Sequence, residues 1–283
     1  MVEAGWARRA VCDRRFRVGA VALGTLALLT ALAPWIAPYD PARQLDVVAL
    51  KLLPPTLAHP FGTDPYSRDV LSRVLYGGAV SLGIALGATI VAFIVGLAWG
   101  LVAGWRGGWL DAVLMRVVDA GLAFPRALVL LLVVAWWGEF SPARLALVLG
   151  LSGWFSTSRF VRAEVRAARV LPHVLAARAL GGSGWHVVRA HVVPAAISPA
   201  LVAAAIGASR ALTLEAGLAV VGLGIAPPSA SWGTILFDGF HDLTLRWWLI
   251  VFPGAALVIA SAAFTAIADA LRESADPRRP PAD

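Results

Sequence analysis

The pattern of apolar and polar residues along the chain predicts a series of membrane-spanning helices. A bilayer core about 30 Å thick needs roughly 20 mostly apolar residues in an α-helix. Runs of about that length, with few or no charges, recur along the sequence. They predict six spans, within residues 18–39 and near residues 78–103, 119–138, 142–160, 197–221 and 247–268.

Two of these spans are irregular, and the first has a second interpretation. Pro125 and Arg126 interrupt the third, and the uncharged part of the fourth, residues 145–158, needs flanking residues to cross a bilayer. Arginines precede the first span, as they do in a secretory signal peptide. The apolar run is long for a signal, and Pro34 would directly follow the cleavage site at residues 31–33. We therefore expect an uncleaved first span.

Composition agrees with a membrane protein. The chain is 59% hydrophobic and 14% charged, whereas soluble domains carry about 25% charged residues. The net charge of +7 could indicate nucleic-acid binding, but the basic residues lie between apolar runs instead of forming one stripe. Cys12 is the only cysteine, which excludes an intrachain disulfide. The predicted fold is an all-α integral membrane protein.

The basic residues also predict the orientation of the chain. Of the 24 lysines and arginines, 17 fall on the side of the N-terminus, six fall on the opposite side, and Arg210 lies within a span. Positive charge accumulates in cytoplasmic segments, so both termini are predicted to be cytoplasmic. Residues 1–60 then form a tail, the first span and the start of an outer loop. Residues 61–272 form the main transmembrane domain, and residues 273–283 form a second cytoplasmic tail.

The longest inner connection, residues 159–194, does not have the pattern of a plain linker. Its first arginines follow spacings of three, four and three, which place them on one helix face: Arg159, Arg162, Arg166 and Arg169. Apolar residues such as Val161 fall on the other side. We expect the arginine face to be solvated, and contact with anionic lipid headgroups is the alternative.

The second part of this connection predicts two short helices. Small residues at 175–180 form the first helix, which stops at Gly181 and Gly182 because glycine accepts the left-handed backbone of a helix cap. The second helix, residues 185–191, is expected to end before Pro194. The pair would form a compact projection that a partner can approach closely. An amphipathic helix pair on the membrane surface fits the same pattern.

This segment resembles the EAA loop of binding-protein-dependent ABC importer permeases, in which E-A-A-x-x-x-G is followed about nine residues later by H-x-x-P. In that family the loop is the coupling helix that fits a groove on the cytoplasmic ATPase. The glutamate position holds Leu175, a departure from the pattern. The resemblance implies a coupling loop at residues 170–194. It also implies an ATPase-docking surface formed by Leu175, Ala176, Ala177, Arg178, Gly181, His191 and Pro194.

Other segments resemble the dipeptide, oligopeptide and nickel branch of these permeases: residues 59–73, 104–125, 214–236 and 264–278. The resemblance implies a six-span, type I importer-like permease in the cytoplasmic (inner) membrane. Its partners would be a homologous second permease, two cytoplasmic ATPase subunits and an extracytoplasmic binding protein. The expected substrates are di- or oligopeptides or related small solutes, and nickel or a metal chelate is the alternative.

ATP hydrolysis is expected on the partner chains. The only lysine, Lys51, lies in VALKLLPP and not in a Walker A motif, so ATP and Mg²⁺ would bind the ATPase subunits. We expect this chain to bind no cofactor and to catalyse no reaction. A secondary transporter is the other alternative, but it would need coupling-ion carboxylates, and Asp119 and Glu215 are few candidates.

Two charges fall inside the fifth span, Arg210 and Glu215. A charge in the bilayer is unfavourable and usually functional, and a spacing of five does not stack the two on one helix face. One or both would face the translocation path, or they would pair with a partner subunit or reach an interface. His241 and Asp242 lack the further ligands of a metal site and predict a solvated loop.

Overall fold

The computed structural model describes residues 3–138, 140–240 and 246–275, and nearly all regular structure in them is helical. This confirms the predicted all-α class. The helices, in chain order, are α1 (Glu3–Cys12), α2 (Arg14–Ala31), α3 (Ala33–Ile36), α4 (Val70–Arg106), α5 (Gly108–Ala123), α6 (Arg126–Trp137), α7 (Pro142–Ala168), α8 (Pro172–Ala179), α9 (Gly184–Val187), α10 (Val193–Val220), α11 (Trp232–Gly239) and α12 (Trp248–Ala275).

Three helices of the described chain are long and apolar enough to cross a membrane alone. They are α4, the continuous helix Gly184–Val220 that contains α10, and α12. Helices α5 and α6 form a further candidate as a bent pair. The predicted total of six requires α2 and α7 as well. Arginines lie at the start of α2 and in the last turns of α7.

The third predicted span, residues 119–138, is not one straight helix. Helix α5 ends at Ala123, and α6 begins at Arg126 after a bend of 79°. Phe124 has extended backbone (φ −92°, ψ 138°) because the ring of Pro125 disfavours helix in the residue before it. The 12 residues of α6 rise only about 18 Å, too little to cross a bilayer core alone. Residues 108–118, between the second and third predicted spans, are helical as part of α5.

Helices α4 and α7 form the most extensive helix pair. Glycines at four-residue spacing on α4 leave room for α7: a Cβ on Gly96 would lie 2.6 Å from the Cβ of Thr157, and one on Gly104 would lie 2.7 Å from the Cβ of Val165. Small residues at this spacing let two helix backbones approach closely, which is how membrane helices pack without a hydrophobic driving force.

Residues 37–69 fold into a lobe over one end of the bundle. Buried Asp64 accepts hydrogen bonds from Arg68 (2.6 Å) and Arg73 (2.5 Å), and Arg73 also donates to Asp238 beyond α10 (2.7 Å). The expected domain boundary at residue 60 falls inside this lobe, because the backbone N–H of Thr63 donates to the Leu53 carbonyl (2.9 Å). The lobe is therefore one unit with the transmembrane helices.

The two ends of the described chain lie together. Helix α2 packs on α12, where a Cβ at Gly19 would lie 2.7 Å from the carbonyl oxygen of Ala263. Arg15 donates to Glu273 (2.7 Å), so the start of α2 and the end of α12 share one end of the bundle. Most of the tail at residues 273–283, with Arg278 and Arg279, lies outside the described residues.

Candidate functional site

Helix α8 and the turn that follows it are defined by local sequence. Pro172 occupies the first helical position, where its missing N–H is harmless. At the other end Gly181 takes a left-handed backbone (φ +84°), and two hydrogen bonds close the turn, from Gly181 N to the Arg178 carbonyl and from Gly182 N to the Ala177 carbonyl. This is a Schellman cap, which confirms the predicted glycine stop.

Helix α9 follows at once, so that α8, the glycine turn and α9 form a projection that we call the knob (residues 172–187). The Ser183 hydroxyl accepts a hydrogen bond from the backbone N–H of His186 (3.3 Å) and caps α9. Val174 and Val187 point inward and are fully buried with valines of α7. The knob is thus attached to the transmembrane helices through an apolar base.

Three large apolar side chains of the knob are exposed, beside the exposed Arg178 and His186, and we call them its open apolar face. Leu175 is 50% exposed, Leu180 is 89% exposed and Trp185 is 74% exposed. Ala176 lies beside Leu175 and is also exposed, whereas Ala177 is half-buried. Leu175 and Ala176 are among the predicted docking residues, whereas Leu180 and Trp185 are not. Their signal was available, since both are large apolar residues next to the glycine turn.

Arg178 is exposed to solvent and also contacts Trp105. Its guanidinium lies 5.5 Å from the ring centre of Trp105 at the end of α4, and Arg169 lies 5.7 Å from the same ring. Cations over an indole ring attract its π-electrons. Arg169 also donates to the Gly104 carbonyl (3.0 Å). These contacts join the end of α7 and the last turn of α8 to α4.

The predicted helix end before Pro194 is wrong. The chain continues from α9 through a π-helical turn, Val188–Val192, directly into α10. A π turn moves the hydrogen bonds from four to five residues apart, which accommodates a proline that lacks an N–H and crowds the preceding turn. One continuous helix, Gly184–Val220, therefore connects the knob to the fifth predicted span.

His191 and Pro194 lie at the base of the knob and not on its outer face. Both are half-buried, and the ring of His191 lies 5.8 Å from that of His173 on α8. The predicted docking residues thus do not all lie on one surface. Leu175 and Ala176 are on the open surface, whereas Gly181, His191 and Pro194 shape the turns that hold it.

The arginine face of α7 is only partly solvated: Arg159 and Arg166 are about half exposed, but each also pairs with a carboxylate of α5. Arg162 and Arg166 both donate to Asp111 of α5, at 2.5–2.7 Å and 2.6 Å, and Arg159 pairs with Asp119. The Asp111 side chain is only 3% exposed. The arginines therefore bind α5 to α7, and the spacing that predicted their common face carried no information on their partner. Val161, which falls on the opposite face of α7, is buried.

The structure separates the two intramembrane charges. Arg210 lines a cavity between α4, α7 and α10, together with Arg126. Glu215 is fully buried elsewhere, where its carboxylate accepts a hydrogen bond from Ser81 of α4 (3.2 Å). Of the two, only Arg210 borders this cavity. His241 and Asp242 lie outside the described residues.

The comparisons with known proteins decide the family. Residues 96–279 match the family described as binding-protein-dependent transport system inner membrane component. This match covers more than half of the chain. The chain belongs to this permease family. Residues 7–55 of the permease also match the N-terminal transmembrane domain of oligopeptide transport permease C.

Individual relatives cover nearly the whole permease. It is 38% identical over 267 residues to the dipeptide transport system permease protein DppC of Escherichia coli K12, covering 92% of this chain and 88% of DppC. It is 37% identical over 274 residues to a Brucella abortus protein named for a peptide transport system, covering 96% and 90%. It is 33% identical over 260 residues to DdpC of Escherichia coli K12, named for D,D-dipeptide transport, covering 92% and 86%.

Membership establishes the general role. The permease is an integral inner-membrane subunit of an importer of the ABC type, a class that works with ATPase and binding-protein partners. The knob lies in the segment that resembles the EAA loop of this family. Its geometry, an open apolar face on a base anchored to α4, α7 and α10, is suited to contact with a partner.

Proposed function

We propose that this permease carries di- or oligopeptides across the cytoplasmic membrane as one channel-forming subunit of an ATP-driven importer. Three relatives that align with most of its length are named for peptide or dipeptide transport. The match of residues 7–55 to an oligopeptide permease domain supports the same substrate class.

The complete importer in this proposal contains a homologous second permease, two cytoplasmic ATPase subunits and an extracytoplasmic binding protein. ATP and Mg²⁺ bind the ATPase subunits, because the sequence here offers no P-loop lysine. This chain contributes binding and movement, and no catalysis. Both of its termini are cytoplasmic, which the distribution of arginines supports.

The observation that carries the proposal is the open apolar face of the knob. Large apolar side chains on a water-facing projection are unfavourable unless a partner covers them. Leu175, Leu180 and Trp185 would fit a groove on the ATPase, with Ala176 allowing close approach. The leucine at position 175 makes this contact apolar where the family pattern has a glutamate.

Movement of the knob is transmitted by the continuous helix Gly184–Val220. Its first turns belong to the knob, and Arg210 lies on the same helix at the cavity. When ATP brings the ATPase subunits together, the knob would move with them and tilt this helix. The permease then alternates between two helix packings of similar energy, which ATP and the loaded binding protein favour in turn.

The test compares the substitution of an exposed leucine on the knob with the same substitution of an exposed leucine on the lobe. Leu180→Asp places a charge in the proposed ATPase contact, and Leu57→Asp places the same charge on the opposite part of the molecule. The co-expressed importer is purified in detergent and reconstituted in proteoliposomes. ATPase retention and ATP-dependent uptake of a labelled dipeptide are then measured.

We expect Leu180→Asp to lower ATPase affinity by about tenfold or more, since interface anchors contribute about 2 kcal/mol or more. Dipeptide uptake should fall in parallel, and Leu57→Asp should retain the ATPase at the wild-type level. Equal ATPase retention by both variants would contradict the docking surface. Uptake by the wild-type importer that does not depend on ATP would contradict the ABC mechanism.

A further inference from the structure

A small, partly open cavity lies between α4, α7 and α10, beside the start of α6. Its volume is about 110 Å³. Most of the wall is made of small or apolar residues such as Ala88, Gly153 and Ala204. Among the described residues, the charged side chains on the wall are Arg126 and Arg210, and both are positive.

Arg126 is held in place by neutral groups. Its Nε donates to the Ser152 hydroxyl (3.0 Å), and its Nη2 donates to the Leu149 carbonyl (2.6 Å). A Cβ at Gly153 would lie 2.9 Å from Nη2, so the absence of a side chain there gives the guanidinium its place against α7. These bonds fix the direction of Arg126 without neutralising its charge.

Arg210 projects from α10 ten residues before that helix ends, a distance of about 15 Å along the axis. It is thus deep in the predicted span, yet exposed to the cavity. No carboxylate in the described part of the chain lies within ion-pair distance of Arg126 or Arg210. The carboxylate of Glu215, five residues after Arg210, accepts a hydrogen bond from Ser81 instead.

Two like charges that face one cavity repel each other, and a charge within a membrane is unfavourable when it has no counterion. A transported anion would relieve both effects. Guanidinium groups bind carboxylates through two parallel N–H donors, which makes arginine better suited than lysine for this group.

We propose that Arg126 and Arg210 form a subsite for the terminal carboxylate of the transported peptide. This rests on the proposed peptide transport and adds the group that the permease itself recognises. A volume of about 110 Å³ has room for a carboxylate and a few waters. The rest of the peptide would lie outside the cavity, along the path between the two permeases.

The experiment compares two forms of one peptide in proteoliposomes that contain the complete importer. One peptide has a free terminal carboxylate, and the other has a terminal amide. Uptake of each is measured at saturating loaded binding protein for wild type, Arg210→Gln, Arg210→Lys and Arg144→Gln. Arg144 is an exposed arginine on α7 outside the cavity and is the matched control. Any preference of the binding protein is the same in all four and cancels when the ratio of the two uptake rates of a variant is compared with that of wild type.

We expect Arg210→Gln to lower uptake of the carboxylate peptide by about tenfold relative to the amide, as loss of a charged hydrogen-bond partner predicts. Arg210→Lys should restore part of the ratio, and Arg144→Gln should keep it at the wild-type value. A second variant, Ala204→Asp, places a competing carboxylate on the cavity wall and should lower the same ratio.

An unchanged ratio in both Arg210→Gln and Ala204→Asp would overturn the subsite while leaving peptide transport in place. An equal fall in uptake of both peptides would also overturn it, since the arginine would then act in folding or assembly. A ratio that follows the fraction of anionic lipid would assign the arginines to lipid phosphate instead. Absence of ATP-dependent uptake of either peptide by wild type would overturn the proposed function, and the subsite with it.

Discussion

Gly100 of α4 lies directly against Val161 of α7, so that a Cβ on Gly100 would be 2.7 Å from the Cβ of Val161. Real Cβ atoms do not approach so closely, and the carbonyl of Ser158 is equally near. Together with Gly96 and Gly104, this glycine makes one smooth stripe along α4. This contact holds α7 against α4. Helix α7 in turn supports the knob, because α8 begins only a few residues after α7 ends.

Gly100→Leu should therefore separate α4 from α7. Overpacking of a well-packed contact costs about 1–3 kcal/mol. For a leucine at this distance we expect a cost near the upper end of that range. The measurement is thermal unfolding of the detergent-purified permease. Gly83→Leu is the control, because it lies on the same helix with nothing within 4 Å of a Cβ. Equal melting temperatures for the two variants would contradict the glycine contact.

Asp111→Asn should loosen α5 from α7. Asp111 accepts from both Arg162 and Arg166 and is nearly buried, so the variant leaves two arginines without their counterion. We expect a loss of about 1–3 kcal/mol, the range for hydrogen bonds to charged groups, reduced because the arginines are partly in solvent. The free energy of unfolding of the permease in detergent measures this loss.

Asp119→Asn is the matched comparison for that variant. Asp119 pairs with Arg159, and both side chains are about half exposed. An exposed pair contributes about 0.2–1 kcal/mol, so this change should be much smaller. If removal of Asp119 destabilises the permease as much as removal of Asp111, burial does not determine the strength of the α5–α7 contact.

The sequence predicted those features that depend on local spacing. Apolar runs predicted the long helices α4 and α12, and the glycine pair at 181 and 182 predicted the end of α8. Both follow from interactions within a few residues, which the sequence displays directly. The resemblance of the coupling loop then directed attention to the exposed Leu175.

Features that depend on distant partners were not predictable in this way. The arginines of α7 were expected to meet solvent because their partner Asp111 is about fifty residues away in the sequence. Pro194 was expected to end a helix, but the π turn before it absorbs the missing N–H. Arg126 and Arg210 belong to different spans, so only the packing of α7 and α10 brings them to one cavity.

Glu215 should act in packing and not in the path. Its carboxylate accepts from Ser81, and the Ser81 oxygen accepts in turn from the backbone N–H of Trp232 (3.0 Å). Glu215→Gln keeps the shape and an acceptor, so ATP-dependent dipeptide uptake should stay close to wild type. Glu215→Ala leaves a cavity and a buried hydroxyl without its partner, which costs about 2–5 kcal/mol by comparison with other core truncations.

Uptake and thermal unfolding of the two Glu215 variants separate these roles. A packing role predicts that only Glu215→Ala lowers the melting temperature and that transport follows stability. If Glu215→Gln abolishes uptake while the permease remains stable, the charge itself is required in the path, and the assignment made from its burial is incorrect.

Gly181→Ala should weaken ATPase docking without disturbing the transmembrane bundle. The left-handed backbone at Gly181 costs an alanine about 1 kcal/mol, so the turn would rearrange and move Leu180 on the open face. We expect a severalfold loss of ATPase affinity at an unchanged melting temperature of the isolated permease. Gly217→Ala provides the opposite case, since Gly217 is an exposed position within α10 with nothing within 4 Å and should keep wild-type affinity. A lower melting temperature for Gly181→Ala with full ATPase affinity would show that the turn stabilises the fold and does not present the docking surface.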